Sequence, residues 1–185
     1  MATNWKGQES PKYPVGPLGI VAMQSGAELA GLIDHYIMCR RKKAVEANPE
    51  FVRVPGYLRD SFILAHKCVR FSNGEGKAII HETVRGYDIY IITDIGNYSC
   101  TFKMFGMECP MSPDDHFQDI KRVIAAISGK ARRLTVIMPM LYEGRQHKRQ
   151  TRESLDCALA LQELERLGVQ NVITFDAHDP RVQNA

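Results

Sequence analysis

The second half of this chain alternates short apolar runs with well-marked helices, and that alternation restricts the fold more than any other feature. Ser112-Pro113-Asp114-Asp115 carries every sign of a helix start: an N-cap hydroxyl, proline at the first helical position, and two carboxylates against the positive end of the dipole. The helix is predicted to run to about Ile127. Residues 133–138 (RLTVIM) predict a buried strand, residues 154–167 a helix closed by Gly168, and residues 171–176 a last strand leading into Ala177-His178-Asp179-Pro180. Strands alternating with helices predict an α/β fold, a mostly parallel sheet with helices on both faces. Ligands of such sheets sit beyond the carboxyl ends of the strands, so the loops there are where chemistry is sought.

The first half is consistent with this. Residues 1–18 read as an arm and 19–23 (GIVAM) as a short buried strand. From Ser25 the apolar residues Ala27, Leu29, Ala30, Leu32, Ile33, Tyr36 and Ile37 recur at helical spacing, and a basic run at residues 40–43 suits a helix end. Three β-rich runs follow, at 66–71, 77–83 and 88–93, with Asn73-Gly74 and Arg85-Gly86 able to reverse the chain between them. Residues 96–111 mix Met, Cys, Gly and Pro without a period and read as an irregular insertion.

With 185 residues, 44% of them apolar, the chain predicts one domain, residues 19–185, with a core of ordinary size. A net charge of +3 is too mild to point to nucleic acid. The five cysteines are scattered, with no Cys-x-x-Cys pair, so free thiols in a reducing compartment are expected. Neither a signal-like apolar run nor a membrane-length one occurs, and a cytoplasmic protein without membrane association is the expectation.

Three segments could carry chemistry. Gly144-Arg145-Gln146-His147-Lys148-Arg149-Gln150-Thr151-Arg152 follows the carboxyl end of a predicted strand, and its four fixed cations suit a polyphosphate. Taken alone, such a run is more often a solvated loop, and with no aromatic residue interleaved it is a poor RNA site. His178 follows the last strand and could ligate a metal or donate to phosphate, although structural histidines are commoner. Phe71-Ser72-Asn73-Gly74-Glu75 reads as a hairpin turn that also has an aromatic, an amide and a carboxylate suited to adenine. No glycine-rich loop ending in Lys-Ser or Lys-Thr is present, which argues against a P-loop kinase.

In order along the chain, these pieces resemble the ribose-phosphate pyrophosphokinase family. Arg70-Phe71-Ser72-Asn73-Gly74-Glu75 is similar to its adenine-recognition segment, and Glu82-Thr83-Val84-Arg85-Gly86 with Asp88-Ile89-Tyr90-Ile91-Ile92 to the strand pair after it. Asp115-His116-Phe117 resembles the start of its next helix, and Val136-Ile137-Met138-Pro139 with Arg145-Gln146 its strand and ATP-phosphate loop. Val172-Ile173-Thr174-Phe175-Asp176-Ala177-His178 resembles the strand ending at its metal-binding histidine. The resemblance implies a phosphoribosyltransferase-like (type I) α/β fold and a homo-oligomer. It also implies ATP binding by Phe71, Asn73, Glu75, Arg145 and Gln146, and Mg²⁺ or phosphate binding by His178. The implied reaction moves pyrophosphate from ATP to ribose 5-phosphate, making phosphoribosyl pyrophosphate for nucleotide biosynthesis. Departures are His147 where the family has an acid, Ser154 where it has proline, the insertion at 96–111, and the family's C-terminal domain, which is not in this sequence. The alternative from another class is a non-catalytic regulatory or scaffolding relative.

Overall fold

The structure, a computed structural model, describes residues 14–146, 151–179 and 182. Four parallel strands form its sheet: β1 (Leu18–Ala22), β4 (Asp88–Ile92), β7 (Arg133–Ile137) and β8 (Asn171–Ile173), adjacent in that order. Beyond β1, residues 62–64 add a single parallel bridge, Ile20 to Ile63, with Ile20 N–H donating to the Phe62 carbonyl and Leu64 N–H to the Ile20 carbonyl. Asp34 holds that segment in place. Its buried carboxylate accepts from Phe62 N–H at 2.7 Å and from the Ser61 hydroxyl at 2.8 Å.

Alternation along each strand decides which helix covers which face. Leu18, Ile20 and Ile92 point to one side, where they pack with Ala30, Ile33 and Ile37 of α1 (Ala27–Ala47). Val21, Ile89, Ile91, Leu134 and Val136 point to the other, where Ile120, Val123, Ile124 and Ile127 of α2 (Pro113–Ile127) and Leu164 of α3 (Asp156–Arg166) form the main core. The chain thus winds from β1 through α1 outward to residues 62–64, then crosses back to β4 and continues through α2, β7, α3 and β8. Winding reverses between β1 and β4, and Gly26 sits at that reversal. A Cβ there would lie 2.8 Å from the Ile92 carbonyl oxygen, so only glycine lets the turn approach β4 this closely.

The antiparallel pair β2 (His66–Arg70) and β3 (Gly76–Ile80) lies over α2 and adds Cys68, Ala78 and Ile80 to the core margin. Buried Asp119 of α2 ties it down, accepting from Arg70 Nη2 at 3.0 Å and from Arg122 Nη1 at 2.7 Å.

The expected boundaries of the parallel strands and of α2 agree with the structure to within a few residues, and α1 extends further, to Ala47. The reading of residues 96–111 as irregular is corrected. They contain an antiparallel ribbon, β5 (Thr101–Met104) and β6 (Met107–Pro110), reversed through Phe105-Gly106. The ribbon escaped a periodicity reading because its strands are only four residues long: β5 alternates exposed Thr101 and Lys103 with half-buried Phe102 and Met104, but β6 is exposed at Met107, Glu108 and Pro110 and carries no such face.

Candidate functional site

At the carboxyl edge of β7 and β8 the chain makes two unusual turns. After β7 it runs through Met138-Pro139-Met140-Leu141 to Glu143, whose φ is +54°, and after β8 through Phe175-Asp176 to His178, whose φ is +41°. Left-handed backbone at non-glycine residues carries a local conformational cost and gathers at functional sites. The two turns are joined by main-chain bonds: Asp176 N–H donates to Pro139 carbonyl at 2.9 Å, and Leu141 N–H to Asp176 carbonyl at 3.2 Å. His178 N–H donates to Asp176 Oδ1 at 3.0 Å, which orders the second turn.

Between them lies a cavity of about 220 Å³ lined by Ile95, Pro113, Met140, Leu141, Glu143, Gly144, Arg145, Asp176 and His178. One guanidinium, one imidazole and two carboxylates therefore share a small concave space at the place where an α/β sheet presents ligands. The Glu143 carboxyl is held above the usual carboxylate range, first by burial and then by the charges of Asp156 and Asp114. Next to it, Tyr142 stacks on Phe117 with ring centroids 4.2 Å apart and donates its hydroxyl to Asp114 Oδ1 at 2.7 Å. Burial and that bond push the tyrosine hydroxyl well up, so it stays a proton donor to Asp114. Tyr142 thereby locks the start of the loop onto the first turn of α2.

Sequence reasoning named Arg145 and His178, and the structure brings them to one cavity. Gln146 behaves otherwise. Its side-chain amide donates to the Ser154 carbonyl at 2.7 Å, and its own carbonyl accepts from Cys157 N–H at 3.4 Å, so it closes the base of the basic loop. His147, Lys148, Arg149 and Gln150 lie outside the described residues. Glu143 and Tyr142 were not singled out. The edge rule covered their positions, but nothing in the residue types announces a left-handed turn or a stacked tyrosine.

Phe71, Asn73 and Glu75 are exposed and form a separate surface on the β2–β3 turn. Phe71 N–H donates to the Glu75 carbonyl at 2.7 Å, and Glu75 N–H donates to Asn73 Oδ1 at 3.1 Å. Gly74, at φ +90°, makes the reversal possible. The Phe71 ring is 46% exposed, with Lys77 Nζ 5.8 Å from its centroid. Among the described residues no group of three His, Cys, Asp or Glu side chains is gathered at metal-binding distance. No helix among them is long and apolar enough to cross a membrane.

Comparison with known proteins decides what this architecture is related to. A sequence profile described as the N-terminal domain of ribose phosphate pyrophosphokinase matches residues 18–168. The chain belongs to this family. Ribose-phosphate pyrophosphokinase B of Dictyostelium discoideum is 28% identical over 116 residues, 62% of this chain and 31% of that protein. The ribose-phosphate pyrophosphokinase of Mycobacterium tuberculosis is 26% identical over 142 residues, 76% of this chain and 39% of that protein. Phosphoribosylpyrophosphate synthetase from Mycobacterium smegmatis superposes with a TM-score of 0.63 at 21% identity, over 90% of this chain and 45% of that one. That superposition establishes the phosphoribosyltransferase-like α/β fold. The chain spans between about a third and two fifths of the length of the curated relatives it matches.

Proposed function

We propose that this chain is the ATP-binding half of a ribose-phosphate diphosphokinase, and that Arg145 and His178 hold the nucleotide's phosphates. The observation that carries the reading is the cavity at the β7–β8 edge, where a fixed cation and an imidazole meet between two turns with left-handed backbone. A guanidinium binds phosphate through charge-assisted paired hydrogen bonds, and the surrounding edge is open to a polyphosphate. The adenine would lie on Phe71, with Asn73 and Glu75 reading its polar edge. Because that surface is distinct from the cavity, the base and the phosphates of one nucleotide are expected to meet surfaces of two copies in a homo-oligomer.

Mg²⁺ fits the donor set of the cavity as an ion brought by the nucleotide. Glu143 and Asp176 supply hard oxygens, His178 a nitrogen, and phosphate oxygens complete a shell that protein residues alone do not close. Bound there, the ion neutralises phosphate charge. In the proposed reaction the C1 hydroxyl oxygen of ribose 5-phosphate forms a bond to the β-phosphorus and loses its proton. The bond from the β-phosphorus to the oxygen shared with the α-phosphate breaks, and AMP leaves. The residues here would contribute position and positive charge, the two terms that dominate phosphoryl-group transfer. A non-catalytic relative that keeps only the fold has one observation in its favour, the turning of Gln146 away from the cavity.

Titration calorimetry with Mg-ADP tests the nucleotide reading. Saturable heat is expected at submillimolar to millimolar nucleotide. A folded sample that gives none at millimolar Mg-ADP would leave the scaffold reading standing.

A further inference from the structure

The β5–β6 ribbon completes no sheet, yet its tip is fastened to the turn that carries Phe71. Phe105 N–H donates to the Ser72 carbonyl at 2.7 Å. Met104 packs against Gly74, its sulfur 3.1 Å from where a Cβ would stand, and the Phe102 ring lies 5.0 Å beneath the Arg70 guanidinium. Arg70 is itself held by Asp119 of α2. The ribbon therefore buttresses the turn at residues 71–75.

Phe105 is the unexpected residue in this arrangement. Its φ is +49°, followed by +82° at Gly106, so the reversal needs left-handed backbone at both central positions. Asn or Gly meets that need easily, whereas a bulky aromatic is rarely found there. Burial returns little of the cost, because the side chain is 71% exposed. Across the same backbone bond, one residue from its acceptor, stands Phe71, also with an open ring.

We infer that Phe105 is a nucleobase-contacting residue, and that the ribbon at residues 96–111 supplies a second aromatic surface, beside Phe71, for the purine of the bound nucleotide. Two exposed aromatic residues, on turns joined by the bond from Phe105 N–H to the Ser72 carbonyl, together with the amide of Asn73 and the carboxylate of Glu75 offer what a purine needs, which is stacking surface and partners for a polar edge. The inference rests on the nucleotide reading above and extends it to a segment that departs from the family pattern. It also gives the insertion a role: it turns a single exposed ring into a preorganised base site.

The experiment compares the full chain with Phe105→Asn and Phe105→Tyr, titrating each with Mg-ADP and with inorganic tripolyphosphate. Asparagine tolerates the left-handed turn, so an unchanged or raised melting temperature is expected and certifies the fold. Phe105→Asn should bind ADP about tenfold more weakly, the loss of one stacked base contact, while tripolyphosphate affinity stays within twofold and Phe105→Tyr behaves as wild type. ADP affinity unchanged in Phe105→Asn overturns the inference, as does an equal loss for both ligands. A change of oligomer mass with ADP affinity preserved would assign Phe105 to a contact between copies and overturn it likewise. Failure of the wild-type chain to bind ADP is a different result, because it removes the nucleotide reading itself.

Discussion

At the scale of single residues, the two surfaces differ in the chemistry they offer. Arg145 offers a planar fork of donors inside a cavity, and Phe71 offers an open ring on an exposed turn. If each meets a different part of one nucleotide, the losses on truncation must differ in kind. Arg145→Ala should weaken ATP by roughly tenfold to a hundredfold and leave adenosine nearly unchanged, because a charge-assisted bond to phosphate is worth about 1.5–3 kcal/mol. Phe71→Ala should weaken adenosine and ATP alike, by roughly the 1–3 kcal/mol of one base stacked on an aromatic ring. Equilibrium binding of both ligands to both variants measures the four values. Equal losses of ATP and adenosine in Arg145→Ala would remove the division.

Among the elements, α2 shows how much of the fold is written locally. The Ser112 hydroxyl accepts from Asp115 N–H at 3.2 Å, and Asp115 Oδ2 accepts from Ser112 N–H at 2.9 Å, a reciprocal capping box with Pro113 inside it. Every participant lies within four residues, which is why this helix start could be read from the sequence. Ser112→Ala should destabilise the protein by about 1 kcal/mol, visible as a lower denaturation midpoint with an unchanged slope. A midpoint equal to wild type would mean that packing of α2 alone fixes its first turn. The β5–β6 ribbon is the opposite case. Its pairing, its reversal at Phe105-Gly106 and its bond to Ser72 depend on contacts across the chain, and its strands are too short, four residues each, for an alternation to stand out. The site divides in the same way. Arg145 and His178 could be placed at strand ends from the order of elements, whereas the inward turn of Glu143 and the diversion of Gln146 to Ser154 depend on backbone geometry that residue types do not encode.

For the molecule as a whole, the proposed function raises the question of what half of a two-substrate site can do. The cavity at the β7–β8 edge and the surface at the turn of the separate β2–β3 pair are both proposed to serve the nucleotide. The second substrate needs its own phosphate-binding loop and a fixed position for its C1 hydroxyl. Holding one reactant against another can remove roughly 7–11 kcal/mol from a barrier. The cations that follow Arg145 in sequence can offset phosphate charge, but charge alone does not aim an oxygen at phosphorus. The shared stretch is 31% and 39% of the two curated relatives' lengths, and the acceptor site is proposed to belong to the part not shared. The 185-residue chain is therefore expected to bind Mg-ATP and yet release AMP no faster with ribose 5-phosphate than without it. An assay of AMP formation under both conditions measures this. Sugar-dependent AMP release would locate an acceptor site within these residues, and the stretch to search first would be the crevice at the β1–β4 reversal, where a doubly wound sheet offers its other ligand position.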